Sequence, residues 1–303
     1  MYEKLQNLAR AVRAEPDGLV PSPRQTGYRA RITLHAGRDA DGKGVYGYFR
    51  PGTHQLEALS SDELARPEIN QALGSITSVE GLERFELRSD GERVVANVLA
   101  GDGQPGESLA YAAGGRVQRG DPTLRLEVCG IEHRVSPDSF YQVNLEVNEL
   151  LVEAVREEVL SRHPEALLDL YSGIGNLSMP IAATGVPCTL IEREGSSARD
   201  ARHTAQRLGL PVTVLTQDAS RFQAGSVPFD VAIVDPPRQG AARAIQQLLV
   251  TRPRALIVAS CNPRTLGRDI APARKQGYRL VRLTGFDMFP GTPHLEALAV
   301  LER

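Results

Sequence analysis

Between about residue 143 and residue 301 short apolar runs alternate with helical stretches, and no other feature constrains the fold as strongly. The candidate strands are Ala166–Tyr171, Cys188–Glu192, Val212–Leu215, Phe229–Asp235, Ala255–Ser260, Tyr278–Leu283 and Ala297–Leu301. Helical patterns lie between them at Val143–Ser161, Met179–Thr184, Ser196–Leu208, Ala241–Leu249 and Pro263–Gln276. Strand and helix in alternation build a parallel sheet covered by helices. The last two strands follow each other with no helix between them. The expectation is therefore a Rossmann-like α/β sheet of seven strands whose last pair is antiparallel, closed by an antiparallel edge strand.

The first 135 residues read as a smaller α+β domain. Tyr28-Arg-Ala-Arg-Ile-Thr-Leu-His35 alternates polar and apolar with period two, as a half-exposed strand does. Val45–Phe49 is a second candidate. Arg84–Arg88 and Arg93–Val98 flank Ser89-Asp-Gly-Glu92 as a hairpin would, and Leu124–Cys129 and Ile131–Val135 flank Gly130 in the same way. Two domains are expected, 1–135 and 136–303, with Ser136-Pro137-Asp138 as the linker.

Composition narrows the class of protein. Of 303 residues, 41% are hydrophobic and 24% charged, as in an ordinary globular protein. No apolar run approaches the ~20 residues that span a bilayer, and Met1-Tyr-Glu-Lys-Leu lacks the plan of a signal peptide. A cytoplasmic protein without membrane contact, and a monomer, is expected. Cys129, Cys188 and Cys261 form no CxxC pair and are too few for a four-thiolate cluster, so no metal is expected. A net charge of −2 exerts no general pull on nucleic acid.

The first strand runs into a glycine-bearing turn, Leu167-Leu-Asp169-Leu-Tyr-Ser-Gly173-Ile-Gly175-Asn176. Glycines there let backbone approach a ligand at the carboxyl end of a strand. The third glycine of a dinucleotide fingerprint is replaced by Ser178, which argues against a nicotinamide-dependent dehydrogenase. Glu192 ends the next strand, about 20 residues on, where an acid accepts ribose hydroxyls. Asp218 ends the third, where it can reach an adenine amino group, and Asp235 ends the fourth. Four acids at successive strand ends, Asp169 included, suit S-adenosylmethionine. That cofactor carries a sulfonium and an ammonium but no pyrophosphate.

Ser260-Cys261-Asn262-Pro263 places a thiol between an apolar strand and the mouth of a helix. Asn262 is a good cap and Pro263 suits the first helical position. The positive end of the helix dipole favours the thiolate there, and so a nucleophile. A lone cysteine after a buried strand is otherwise a small core residue.

Five segments together resemble the bacterial RNA 5-methyluridine (uracil-C5) methyltransferases, a class I S-adenosylmethionine-dependent family. They are Ser139-Phe-Tyr-Gln142-Val-Asn144, Asp169–Asn176, Asp235-Pro-Pro-Arg-Gln-Gly240, Ser260–Asp269 and Asp287-Met-Phe-Pro290-Gly-Thr-Pro-His294-Leu-Glu296. The resemblance implies that Gln142, Tyr171, Asn176, Glu192, Asp218 and Asp235 contact S-adenosylmethionine, that Cys261 is the nucleophile, and that Glu296 is the base. It also implies an RNA substrate, ribosomal in preference to transfer RNA. Arg29 and Arg31 of the first domain are then candidate RNA contacts. Many ribosomal RNA members add an N-terminal OB-like domain and four cysteines for an iron–sulfur cluster; no cluster is expected here, and the chain is either a compact member or one short of such an N-terminal domain.

Two neighbouring readings remain. An RNA 5-methylcytosine methyltransferase would carry a second cysteine after Asp-Pro-Pro, where this chain has Arg238. A non-catalytic RNA-binding module would have no use for a nucleophile, a base and a row of cofactor acids.

Overall fold

The computed structural model describes residues 2–39, 41–223 and 227–303. The chain divides into two units: Met1–Pro23, Glu127–His133 and Glu146–Arg303 form the first, and Arg24–Leu126 and Arg134–Leu145 the second. This differs from the division expected at residue 136, because the first 23 residues join the C-terminal part. They form helix α1 (Tyr2–Val12), which buries Leu8 and Val12, and a short strand β1 (Gly18–Val20).

The second unit contains β2 (Arg31–Arg38), β3 (Gly44–Phe49), β4 (Leu56–Ala58), α2 (Pro67–Gly74), β5 (Leu82–Ser89), β6 (Val94–Gly101), β7 (Ala110–Ala113) and β8 (Arg116–Arg119). Its sheet runs β4-β3-β2-β5-β6-β7-β8. Ile69 and Leu73 of α2 pack on Ile32, Leu34, Phe85 and Leu87, the inward set of the alternating strands. The hairpin of β9 (Leu124–Val128) and β10 (Ile131–Val135) turns at Cys129 (φ 47°) and Gly130 (φ 77°), the positive pair that a tight hairpin needs. Ser136–Asp138 is no free linker. The buried Arg88 guanidinium donates to the Ser136 carbonyl at 3.1 Å and to those of Pro137 and Ser139.

The rest of the first unit is α3 (Leu145–Leu160), β11 (Leu167–Leu170), α4 (Met179–Ala182), β12 (Cys188–Glu192), α5 (Gly195–Leu208), β13 (Val212–Thr216), β14 (Val231–Val234), α6 (Ala242–Thr251), β15 (Ala255–Ser260), α7 (Pro263–Lys275), β16 (Arg279–Phe286) and β17 (Glu296–Glu302). Among the described residues its sheet has eight strands, in the order β1-β16-β17-β15-β14-β11-β12-β13. Two expectations are corrected. The count rises from seven to eight because β1 adds in parallel along β16. The antiparallel strand β17 is interior, inserted between β15 and β16, and not at an edge. Its side chains explain why: Glu296 to Leu301 are all buried, which requires cover on both faces.

Strand order reverses between β14 and β11, which pair in parallel. The crevice beyond the carboxyl ends of strands at such a reversal is where α/β sheets bind ligands. Every acid singled out above at a strand end lies along this edge.

Candidate active site

The glycine turn after β11 is built on unusual backbone. Tyr171 has φ 63°, Gly173 58° and Gly175 85°. For a tyrosine, that conformation costs about 1–3 kcal/mol and is held only where the surroundings enforce it. At Gly175 a Cβ would press on Met179 and Leu190, so the turn lies tight on the sheet. At Gly173 a Cβ would stand in open space, on the side from which a ligand can approach.

Glu192, at the end of β12, shapes the same turn. One oxygen accepts the Gly173 N–H at 2.8 Å and the other the Glu194 N–H at 2.6 Å. Asn176 is locked to α3 by reciprocal amide bonds with Asn148 at 2.9 and 2.8 Å. Asp218 caps the short 3-10 turn Ala219–Arg221 by accepting the Ser220 N–H at 2.8 Å. The Ser220 hydroxyl first, and this N–H second, hold its carboxyl below the usual range.

Asp169 in β11 has both carboxylate oxygens buried with no hydrogen-bond partner among the described residues. The Ser178 hydroxyl lies close enough to favour the charged form, but burial dominates, aided by Asp235 and Glu192, and pushes the group up to about 8. An orphaned carboxylate within reach of two other acids is a site for positive charge. S-adenosylmethionine, with its sulfonium and ammonium, fits that requirement; a pyrophosphate does not. Among the acids of the site, Asp169 is the one given no individual role from sequence. Its signal was a charged residue inside the apolar run Leu167–Leu170.

The second cluster lies on neighbouring strands. Asp235 follows β14, Cys261 follows β15, and Glu296 opens β17. Because Ser260 pairs with Ala297 across the β15–β17 ladder, the cysteine and the glutamate are brought side by side. Glu296 is 2% exposed, and burial, with Asp235 next, raises its pKa well above the ordinary glutamate value. Burial lifts Asp235 to about 6. Cys261 is half-buried and pushed up to about 11, first by burial and then by Glu296 and Asp235, while Arg238 pulls it down. The thiolate expected from the helix dipole is thus corrected. With both carboxylates facing it, the free protein holds a thiol at neutral pH.

Helix α7 secures the loop that carries Arg238. Asn262 caps the helix, accepting the Arg264 N–H at 3.1 Å, and donates to the Arg238 carbonyl at 3.2 Å. Arg268 donates to the Gln239 carbonyl at 2.6 Å, and buried Asp269 accepts the Ala241 N–H at 2.5 Å. Gly240 is required because a Cβ would collide with the Asp269 carboxylate. Phe289 packs half-buried against the core, edge-on to exposed His294 at 6.3 Å. Gln142 lies in the second unit, in the segment Arg134–Leu145.

A sheet of this order, with a strained glycine turn after its first central strand and acids along its carboxyl edge, defines a class I S-adenosylmethionine-dependent methyltransferase. The fold matches the crystal structure of the Pyrococcus abyssi tRNA (uracil-54, C5)-methyltransferase in complex with S-adenosyl-L-homocysteine. The TM-score is 0.81 at 24% identity, covering 99% of this chain and 83% of that one. The family described as tRNA (Uracil-5-)-methyltransferase matches residues 220–303. An RNA methyltransferase of Thermosynechococcus vestitus is 30% identical, with 97% of this chain and 76% of that protein covered. The 23S rRNA (uracil(1939)-C(5))-methyltransferase RlmD of Cronobacter sakazakii is also 30% identical, over 99% of this chain and 76% of its own length. The chain belongs to the RNA (uracil-C5)-methyltransferase family. Among the described residues no helix is long and apolar enough to cross a membrane.

Proposed function

We propose that the protein methylates carbon 5 of a uridine in structured RNA, ribosomal RNA in preference to transfer RNA, through a covalent bond between Cys261 and carbon 6. The observation that carries this reading is the ladder that sets Glu296 beside Cys261, with Asp235 on the next strand. The ribosomal target is supported by relatives of the RlmD type, which cover nearly the whole chain.

Carbon 5 of uracil is a weak nucleophile. Addition of the Cys261 thiolate to carbon 6 forms an S–C6 bond and moves the ring electrons into an enolate, from which carbon 5 can attack. S-adenosylmethionine, when bound, supplies the electrophilic methyl and places positive charge along the acidic edge. Glu192 and Asp218 are assigned to its ribose and adenine, Asp169 and Asp235 to its cationic end, and Gln142, Tyr171 and Asn176 to its remaining surface. That positive charge would offset the carboxylate field that keeps Cys261 a thiol, so the thiol gives up its proton more readily. Glu296 then takes the proton from carbon 5, the C5–C6 double bond re-forms, and the S–C6 bond breaks with the thiolate as leaving group. A uridine inside structured RNA must be splayed out to reach these groups. Arg29 and Arg31 of the second unit are proposed to hold the backbone; Arg31 already stacks on Phe140 at 4.9 Å.

The test uses tritiated S-adenosylmethionine with unmodified total RNA, followed by mapping of the labelled base. Wild type should label 5-methyluridine, and a 5-fluorouridine transcript should trap a protein–RNA adduct, since fluorine cannot leave as a proton does. Cys261→Ala should give neither product nor adduct. Glu296→Gln should accumulate a methylated adduct that survives denaturing electrophoresis. Near-normal turnover by Cys261→Ala, or a label on cytosine, would sink the proposal.

A further inference from the structure

We infer that Lys4, on the N-terminal helix, is a positioning residue for the proton-removal step, an inference that rests on the covalent reading above. Lys4 is only 6% exposed. Its ammonium donates to Asp287 Oδ1 at 2.6 Å and to the Phe289 carbonyl at 2.9 Å. Asp287 is itself buried, so neither charge of the pair has water as a substitute partner.

The Phe289 carbonyl is a hub. Besides Lys4 it accepts the Thr292 hydroxyl at 2.8 Å and the Thr292 N–H at 3.2 Å. The Asp287 N–H donates to the Val20 carbonyl at 2.9 Å, fixing the other side of the turn to β1. These bonds set the course of the loop 287–295, which ends at Glu296. There β17 begins and pairs with both Phe286 and the strand of Cys261.

The C-terminal end of the same helix rests on α7, the helix that starts after Cys261. Gly267 allows the contact, since a Cβ there would strike the Ala11 carbonyl, and Arg274 donates to the Val12 carbonyl at 3.0 Å. Helix α1 is thus a strut with one end on the nucleophile's helix and the other, through Lys4, on the base's loop. Loss of the ammonium releases the loop side alone. The consequence falls on Glu296 relative to the adduct, and little on the glycine turn that serves the cofactor.

The experiment compares wild type, Lys4→Met and Lys4→Arg, using the RNA that wild type labels most strongly. Lys4→Met should turn over at least ~10-fold more slowly while its calorimetric affinity for S-adenosylmethionine stays within ~2-fold of wild type. Tritium should accumulate in a protein–RNA band on denaturing gels, because methylation outruns proton removal. Lys4→Arg, which keeps the charge, should recover most of the rate and lose the band. Wild-type turnover by Lys4→Met, or slow turnover without the band, overturns the inference. Should Lys4→Met fail to fold, Thr292→Val removes the loop's own hydroxyl donor to the same carbonyl; a weaker band supports the inference, and its absence overturns it. If wild type traps no adduct on 5-fluorouridine RNA, the covalent reading itself falls; if it traps one and the Lys4 variants match wild type, only the role of Lys4 falls.

Discussion

Cys261 stands between opposing fields. The mouth of α7 and Arg238 favour a thiolate, whereas burial, Glu296 and Asp235 favour the thiol and win, placing the group near 11 in the free protein. Glu296 and Asp235 both raise this thiol, so removing either should lower its pKa. Alkylation by iodoacetamide, which reads the thiolate, should therefore rise steeply only above about pH 9 for wild type. In Glu296→Gln the profile should move to lower pH; an unchanged profile would show that the two side chains do not sense each other. The sequence singles out both residues, from the strand–Cys–Asn–Pro junction and from the constrained loop ahead of Glu296, and the structure sets them on adjacent strands. Their ionisation was not legible in the sequence. It depends on which strands lie side by side, and a helix-dipole argument confined to the cysteine's own neighbours omits the carboxylates that face it across the ladder.

At the scale of elements, the carboxyl edge of the sheet gathers Asp169, Glu192 and Asp235 around one crevice, at a cost to the unliganded fold. Asp169 is raised from 3.8 to about 8, chiefly by burial. A carboxyl with a raised folded pKa favours folding fully below its unfolded pKa, and that contribution is lost as pH rises through the folded value. Asp169→Asn should therefore melt higher than wild type without ligand, by a margin that grows from pH 5 to pH 8. Each kcal/mol relieved is worth roughly 2–4 °C for a unit of this size. S-adenosylmethionine should raise the melting temperature of wild type and do so much less for the variant. Equal ligand shifts in both would remove Asp169 from the site. The strands bearing these acids were readable because each is a short apolar run bounded by turn residues: the observed boundaries of β11 and β12 fall within a residue of those expected, and β14 starts two residues later and ends one earlier. The place of β17 was not readable. Local periodicity says that Ala297–Leu301 is a buried strand, but its insertion between β15 and β16 is decided by pairing across distant segments.

For the whole molecule, the consequential feature is that the catalytic unit is discontinuous in sequence. Residues 1–23 supply β1, which pairs along the outer edge of β16, and α1, whose Leu8 and Val12 enter the same core cluster as Leu266 and Ile270 of α7. β1 has only three residues, and the apolar stripe of α1 at Leu5, Leu8 and Val12 says that the helix packs on something but not on what; tertiary pairing decides the place of both. A fragment cut at the boundary suggested by sequence, 136–303, would lose the partner of β16 and leave a bare strand edge of the kind that promotes aggregation. It would also bury Asp287 without Lys4, and breaking a buried pair from one side typically costs about 3–5 kcal/mol. Such a fragment should be insoluble or melt without a cooperative transition. A chain joining 1–23 by a flexible linker to 127–303 restores the edge strand, the helix and the ion pair together, and should regain cooperative melting by circular dichroism and a single peak on size exclusion. Were 136–303 to melt cooperatively at the temperature of the full chain, the N-terminal segment would be an accessory to the catalytic unit and not a part of it, and the strut that Lys4 completes would have no mechanical basis.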